Sequence, residues 1–246
     1  ARRHVLTGCV GQARHVPPEL PPLTAEARGA LRDIGVPEVR VLVNNRRVAE
    51  GFYRGLGSDA GDAVLRQSDK RDNGGPGTVA ALLESEAGTT PEQAQACLAL
   101  AGISGSDSGV VARVRALAAE HGGESELLAT GLGELGALIE AASVRAPGVV
   151  VADLKIARGL DYYTGSVYET VLVGHEQLGS ICSGGRYDTL ASDGANTYPG
   201  VGLSIGVSRL VSRLLSAGLV RATRSVPSAV GVAGARAASR GAGGGV

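Results

Sequence analysis

The apolar residues of this 246-residue chain change period twice. Near its start Val39, Val41 and Val43 alternate with Arg40 and Leu42, the pattern of a half-buried strand. From about residue 58 to 146 the spacing becomes helical, and Leu128, Leu132, Leu135 and Ile139 fall on one face. From Val149 onward the β-type runs return. A chain patterned this way forms a sheet whose strands are interrupted in sequence by a block of helices. The expected class is α+β: a mostly antiparallel sheet with helices, carrying a helical insertion.

The boundaries follow from the same reading. Residues 1–23 contain RHVPPELPPL and are expected to be loop or disorder. Residues 24–57 form the first part of the core, a helix opened by Thr24, a Gly-Val-Pro break and a strand. Residues 58–148 are the helical insertion, in which Thr90 caps a helix with Pro91 at its first position. Residues 149–224 return to the core with GVVVADL, SVYETVLV, a GHEQLG connection, SICSGG and PGVGLSIG, then the helix VSRLVSRLLSAG. Residues 225–246 start one further strand, SVPSAVGV, and end in the low-complexity GARAASRGAGGGV.

Composition narrows the chemistry. Twenty-four basic residues balance 24 acidic ones, so charge alone makes no polyanion binder. Cys9, Cys97 and Cys182 form no CxxC pair, which excludes a zinc motif and a disulfide framework and suits a reducing cytoplasm. His4, His15, His121 and His175 have no metal-ligand spacing, and no metal site is expected. No apolar run reads as long enough to span a membrane, and no membrane partner is expected.

Aromatic residues are scarce but concentrated. Phe52 is the one Phe, Trp is absent, and Tyr162, Tyr163, Tyr168 and Tyr187 crowd into one short region. RGLDYYTGSVYET sets Arg158 and two tyrosines at the entrance of a strand, and SGGRYD sets another Arg and Tyr beside glycines. An arginine keeps its charge near a carboxylate or phosphate, and a tyrosine gives a pocket an apolar wall with a polar tip. Two strand ends with core tyrosines and a surface arginine fit the same pattern.

In PGVGLSIGVSRL, Gly200, Gly202 and Gly206 leave one strand face bare for a flat ligand, and Arg209 opens the next helix, where an anion is favoured. The alternative is a glycine strand packed under another element. GLGELG, residues 131–136, matches a dinucleotide fingerprint but lies inside a helical pattern, so close helix packing is expected. Asn44, Asn45, Arg46 and Arg47 read as a surface turn.

Taken together these segments resemble the histidyl-tRNA synthetases. RGLDYYTGSVYE resembles the family's histidine-specific motif, GGRYD its second histidine motif, and PGVGLSIGVSRL motif 3 of class II aminoacyl-tRNA synthetases, with Val207 and Ser208 in place of Leu-Glu. VNNRRVAEGFYRGLG is similar to the segment before the family's helical insertion. The resemblance implies a class II catalytic core that joins histidine to ATP and passes histidyl to tRNA(His) in the cytoplasm, with Mg²⁺ accompanying ATP. It implies that Arg158 meets the α-phosphate and the histidine carboxylate, that Tyr162 and Tyr163 line the histidine pocket, and that Tyr187 closes it. Arg209 would bind ATP phosphates, and the Gly202–Gly206 stretch would floor the adenine site.

Segments like motif 1, which builds the family's homodimer, and motif 2, which supplies a second ATP arginine, are not found. Of the anticodon-binding domain there is at most a first strand. The expectation is half of a site, inactive or severely impaired alone. A non-catalytic relative, the synthetase-like regulatory subunit of ATP phosphoribosyltransferase, is the alternative. The retained arginines favour the enzyme, because a regulator has no chemical need for phosphate-facing cations.

Overall fold

A computed structural model describes residues 31–32, 36, 38–57, 71–156 and 162–221, with 71–76 described by backbone only. Of the helix expected from Thr24 the described residues hold Leu31 and Arg32, both helical; the tail from 225 and the 1–23 segment lie outside the described residues.

Strand β1 (Val39–Asn45) is the alternating run read above, and its end is the N-cap of helix α1 (Arg46–Gly55). Helices α2 (Arg71–Ala87), α3 (Pro91–Ala101), α4 (Gly109–His121) and α5 (Glu126–Arg145) follow, with the two-residue strand β2 (Ser104–Gly105) after α3. The chain then gives β3 (Val150–Asp153), β4 (Ser166–Leu172), β5 (Cys182–Tyr187), β6 (Gly200–Ile205) and helix α6 (Val207–Ser216). The α3 start carries a reciprocal capping box between Thr90 and Gln93, with Pro91 in the first turn.

The six strands form one sheet in the order β2-β3-β1-β4-β5-β6. Only the β1–β3 pair is parallel; the other four pairs are antiparallel. Residues opposite one another across a ladder share a face, so the register sorts the side chains. Val41, Val43, Tyr168, Val201 and Leu203 lie on one face and pack with α1 and α5 side chains such as Val48, Phe52, Leu132 and Leu135. The same buried cluster continues to Leu83 of α2 and Leu100 of α3, so it crosses the boundaries expected at 57/58 and 148/149. A second cluster joins Val39, Leu172 and Cys182 to Leu210 and Leu214 of α6 on this face.

Leu128, Leu132, Leu135 and Ile139 are all buried, as their spacing requires. Helix α5 corrects one expectation: its 20 residues are long and apolar enough, by length and composition, to cross a membrane. Its apolar face is buried in the main cluster while Glu126 and Glu140 are exposed, which is the amphipathy of a core helix. The GLGELG stretch does serve close packing: a Cβ on Gly131 would sit 2.7 Å from the Val48 amide nitrogen.

The Asn44–Arg47 run is not a surface turn. Asn44 is 1% and Asn45 0% exposed, and a helix begins at Arg46. Asn44 donates through Nδ2 to the carbonyls of Ile156 at 2.8 Å and Leu154 at 3.3 Å. Asn45 caps α1 by accepting from the Arg47 amide at 3.0 Å. Long-range partners satisfy these amides, which is what makes their burial tolerable.

Candidate functional site

The other face of the sheet is partly open. Across it the register aligns Leu42, Glu169, Ser183 and Ser204 in one row, Asn44, Val167, Gly185 and Gly202 in the next, and Tyr187 with Gly200 beyond. Ile156, Tyr163 and Val167 close over Leu42 at one side of this face. Ser183, Tyr187, Gly200 and Gly202 are half-buried and Ser204 is exposed.

Glycines decide where the tyrosine rings lie. A Cβ on Gly185 would come within 2.7 Å of the Tyr163 ring, and one on Gly200 within 2.6 Å of the Tyr187 ring. Tyr163 therefore lies over β5 and Tyr187 over β6. Tyr187 also reaches to 3.5 Å from a Cβ placed on Gly202, so its ring occupies part of the glycine face read as bare. Tyr162 packs against Tyr163 with ring centroids 4.6 Å apart, and it stays 37% exposed where Tyr163 is 8%. Tyr168 points the other way, into the core.

Arg158 lies outside the described residues. Ile156, held by Asn44, is the last described residue before it. Gly206 is the N-cap of α6 and gives its first turn no side-chain hydrogen bond. Arg209 is exposed in that turn and makes no hydrogen bond or ion pair among the described residues. The structure thus brings Tyr162, Tyr163, Tyr187 and Gly202 to one face.

A polar network underlies this face, and the sequence did not reveal it. Asp188, next to Tyr187, accepts from Thr164 Oγ1 at 2.7 Å and from Arg186 Nε at 2.8 Å, and pairs with Arg47 at 3.3 Å. Arg47 also pairs with Glu134 of α5, whose other oxygen accepts from Asn45 Nδ2 at 2.7 Å. Burial raises the Asp188 carboxyl, but the Thr164 and Arg186 hydrogen bonds and the charges of Arg186 and Arg47 outweigh it and hold the group below its ordinary value. Thr164 also donates its amide to the Arg186 carbonyl at 2.9 Å, so the YYTG and GGRYD segments are held as one piece. The available signal was an Asn before a helical pattern, Val48 and Phe52 standing four apart.

The histidyl-tRNA synthetase family model matches residues 23–210, which contain all four resembling segments. The chain belongs to the histidyl-tRNA synthetase family. It is 60% identical over 209 residues to the histidine–tRNA ligase of Micrococcus luteus, covering 85% of this chain and 44% of that protein. It is 51% identical over 201 residues to the ligase of Cutibacterium acnes, covering 82% and 43%. The chain therefore spans less than half the length of these curated relatives.

The crystal structure of histidyl-tRNA synthetase from Nostoc sp. superposes with a TM-score of 0.76 at 37% identity, covering 86% of this chain and 50% of that one. A Bacillus halodurans protein described as an ATP phosphoribosyltransferase regulatory subunit/histidyl-tRNA synthetase shares the fold, with a TM-score of 0.64 at 23% identity over 79% and 49%. The expected class II, α+β architecture is the one these histidyl-tRNA synthetase neighbours have.

Proposed function

We propose that this chain is the portion of a histidine–tRNA ligase that walls the histidine pocket and meets the ATP phosphates. The observation that carries the reading is the placement of Tyr163 over Gly185 and Tyr187 over Gly200 on one half-open sheet face, inside the segment matched by the family. A ring lying on a glycine sits close to the sheet, and the half-buried Tyr187 and the 37% exposed Tyr162 offer a wall to a small planar substrate, with Tyr163 packed behind Tyr162.

In the proposed reaction a histidine carboxylate oxygen attacks the α-phosphorus of ATP and pyrophosphate leaves. A tRNA(His) terminal hydroxyl then attacks the histidyl carbonyl and AMP leaves. Mg²⁺ enters with ATP as part of the substrate. Arg158 supplies the permanent charge that stabilises the crowded negative oxygens without a proton transfer. Arg209 meets ATP phosphates at the start of α6, where unpaired amides and the helix dipole add to its charge. Gly202 and Gly206 let the nucleotide approach the backbone.

A chimera tests this: the matching segment of the Micrococcus luteus ligase is replaced by residues 23–210. Histidine-dependent ATP–pyrophosphate exchange retained in the chimera, and lost with Arg158→Ala or Tyr187→Ala, is the expected result. A folded chimera without exchange would overturn the reading. Histidine binding without exchange would favour a regulatory, non-catalytic relative instead.

A further inference from the structure

We propose that Arg47 is a positioning residue, which takes its place from helix α5 through Glu134 and sets the tyrosine face through Asp188. The inference rests on the histidine pocket proposed above. One guanidinium meets two carboxylates from distant elements, Glu134 of α5 and Asp188 after β5. A planar fork can hold two acceptors in fixed directions, which a lysine ammonium cannot.

Each end of this relay is anchored. At the α5 end Glu134 binds both Arg47 and the N-cap Asn45, and Gly131 lets α5 approach the α1 backbone at Arg47 and Val48. The first turn of α1 therefore cannot move relative to α5 without breaking two contacts to one carboxylate. At the sheet end Asp188 ties Arg47 to Thr164 and Arg186. Thr164 follows Tyr163 in the chain, and Asp188 follows Tyr187. The two rings over Gly185 and Gly200 are thus fixed by neighbours that share one carboxylate. All four charged side chains are no more than about one-third exposed, at 25% for Arg47, 31% for Glu134, 23% for Asp188 and 17% for Arg186, so water screens them only in part. With Nη1 on Glu134 and Nη2 on Asp188, the Arg47 charge is already matched by two carboxylates. Its effect on a substrate passes through Asp188.

Linkage makes the coupling reciprocal: what α5 does to the pocket, a ligand in the pocket does to α5. The decisive experiment is residue-resolved amide exchange on the whole chain, without ligand, for wild type, Glu134→Gln and Arg47→Lys. Glu134→Gln keeps the side-chain shape and removes the charge; Arg47→Lys keeps the charge and removes the fork. In both variants the Thr164 amide, bonded to the Arg186 carbonyl, exchanges about tenfold faster while α2 and α3 amides stay as they were. Unchanged exchange at Thr164, or a uniform rise across the chain in both variants, would overturn the relay.

The second readout is histidine affinity by calorimetry, expected to weaken about tenfold in both variants with a melting temperature within a few degrees of wild type. If the isolated wild type binds no histidine, as half of a site allows, the same calorimetry is run in the chimera, where absent binding sinks the proposed function while Thr164 exchange still decides the relay. If histidine binds wild type and both variants equally, Arg47 is structural only and the positioning role is refuted.

Discussion

The Tyr168 hydroxyl donates to the Gly202 carbonyl at 2.7 Å, reaching from β4 to β6 across the whole width of β5. It can do so because Gly184, opposite Tyr168 in the register, has no side chain in the way. A Cβ at Gly184 would stand 2.0 Å from the Gly202 carbonyl oxygen and 2.4 Å from the phenol oxygen. The buried phenol stays neutral, because burial pushes its ionisation far up. One core-face hydrogen bond thus sets the position of the strand that carries Gly200 and Gly202 on the opposite face.

Gly184→Ala is expected to destabilise the chain by about 2 kcal/mol or more, because both clashing atoms are held and overpacking forces the strands apart. Tyr168→Phe removes only the hydrogen bond and is expected to cost about 1–2 kcal/mol, having left a carbonyl without its partner. Urea unfolding of both variants checks this, and a Gly184→Ala chain as stable as wild type would refute the crossing.

Two glycines of α5 are expected to behave oppositely. Gly131→Ala pushes a methyl against the Val48 amide and Arg47 backbone, with loss of about 1–3 kcal/mol as α5 and α1 separate. Gly133, two residues on, is exposed and has nothing within 4 Å of an added Cβ. Gly133→Ala is expected to stabilise by roughly 0.5–1 kcal/mol through helix propensity alone. Thermal melts of the pair, compared with wild type, give the sign of each.

Much of the frame was legible from local pattern. Val39, Val41 and Val43 have the period of β1, and Thr90, Pro91 and Gln93 write the α3 start in four residues. What escaped depends on partners far along the chain. Asn44 and Asn45 look like a turn because a short polar run usually is one. Their burial is made tolerable by carbonyls at 154 and 156 and by Glu134, which no local window contains. The same holds for the site. Glycines beside tyrosines advertised close approach, but which ring covers which glycine follows from strand register. Asp188 stood in plain view in SGGRYD, while its partners Thr164 and Arg47 became its neighbours only through the fold.

Cys97 lies in the main core, where burial pushes its thiol up to about 12 and leaves almost no thiolate near neutral pH. Cys182 is buried in the second cluster. Cys9 lies outside the described residues. Alkylation at pH 8 in native buffer is expected to leave Cys97 and Cys182 unmodified, with both reacting in denaturant; mass mapping of the labelled peptides checks this. Prompt native labelling of Cys97 would contradict the packing of α3.

Asp188 predicts a pH dependence with a definite sign. Its folded value is depressed from the ordinary 3.8, so the folded chain binds the proton less readily than the unfolded chain. The stabilisation is therefore fully present above the unfolded value and is lost as pH falls through the folded one. Asp188→Asn cannot titrate, yet it leaves Arg47 and Arg186 with a weaker partner. The stability difference between wild type and Asp188→Asn is expected to be constant from about pH 7 down to about pH 5, then to shrink as the pH is lowered further and the wild-type carboxylate takes up its proton. Urea midpoints of both chains between these limits and pH 3 measure it. A difference that widened in acid would mean that burial, rather than Thr164 and the two arginines, governs this carboxyl.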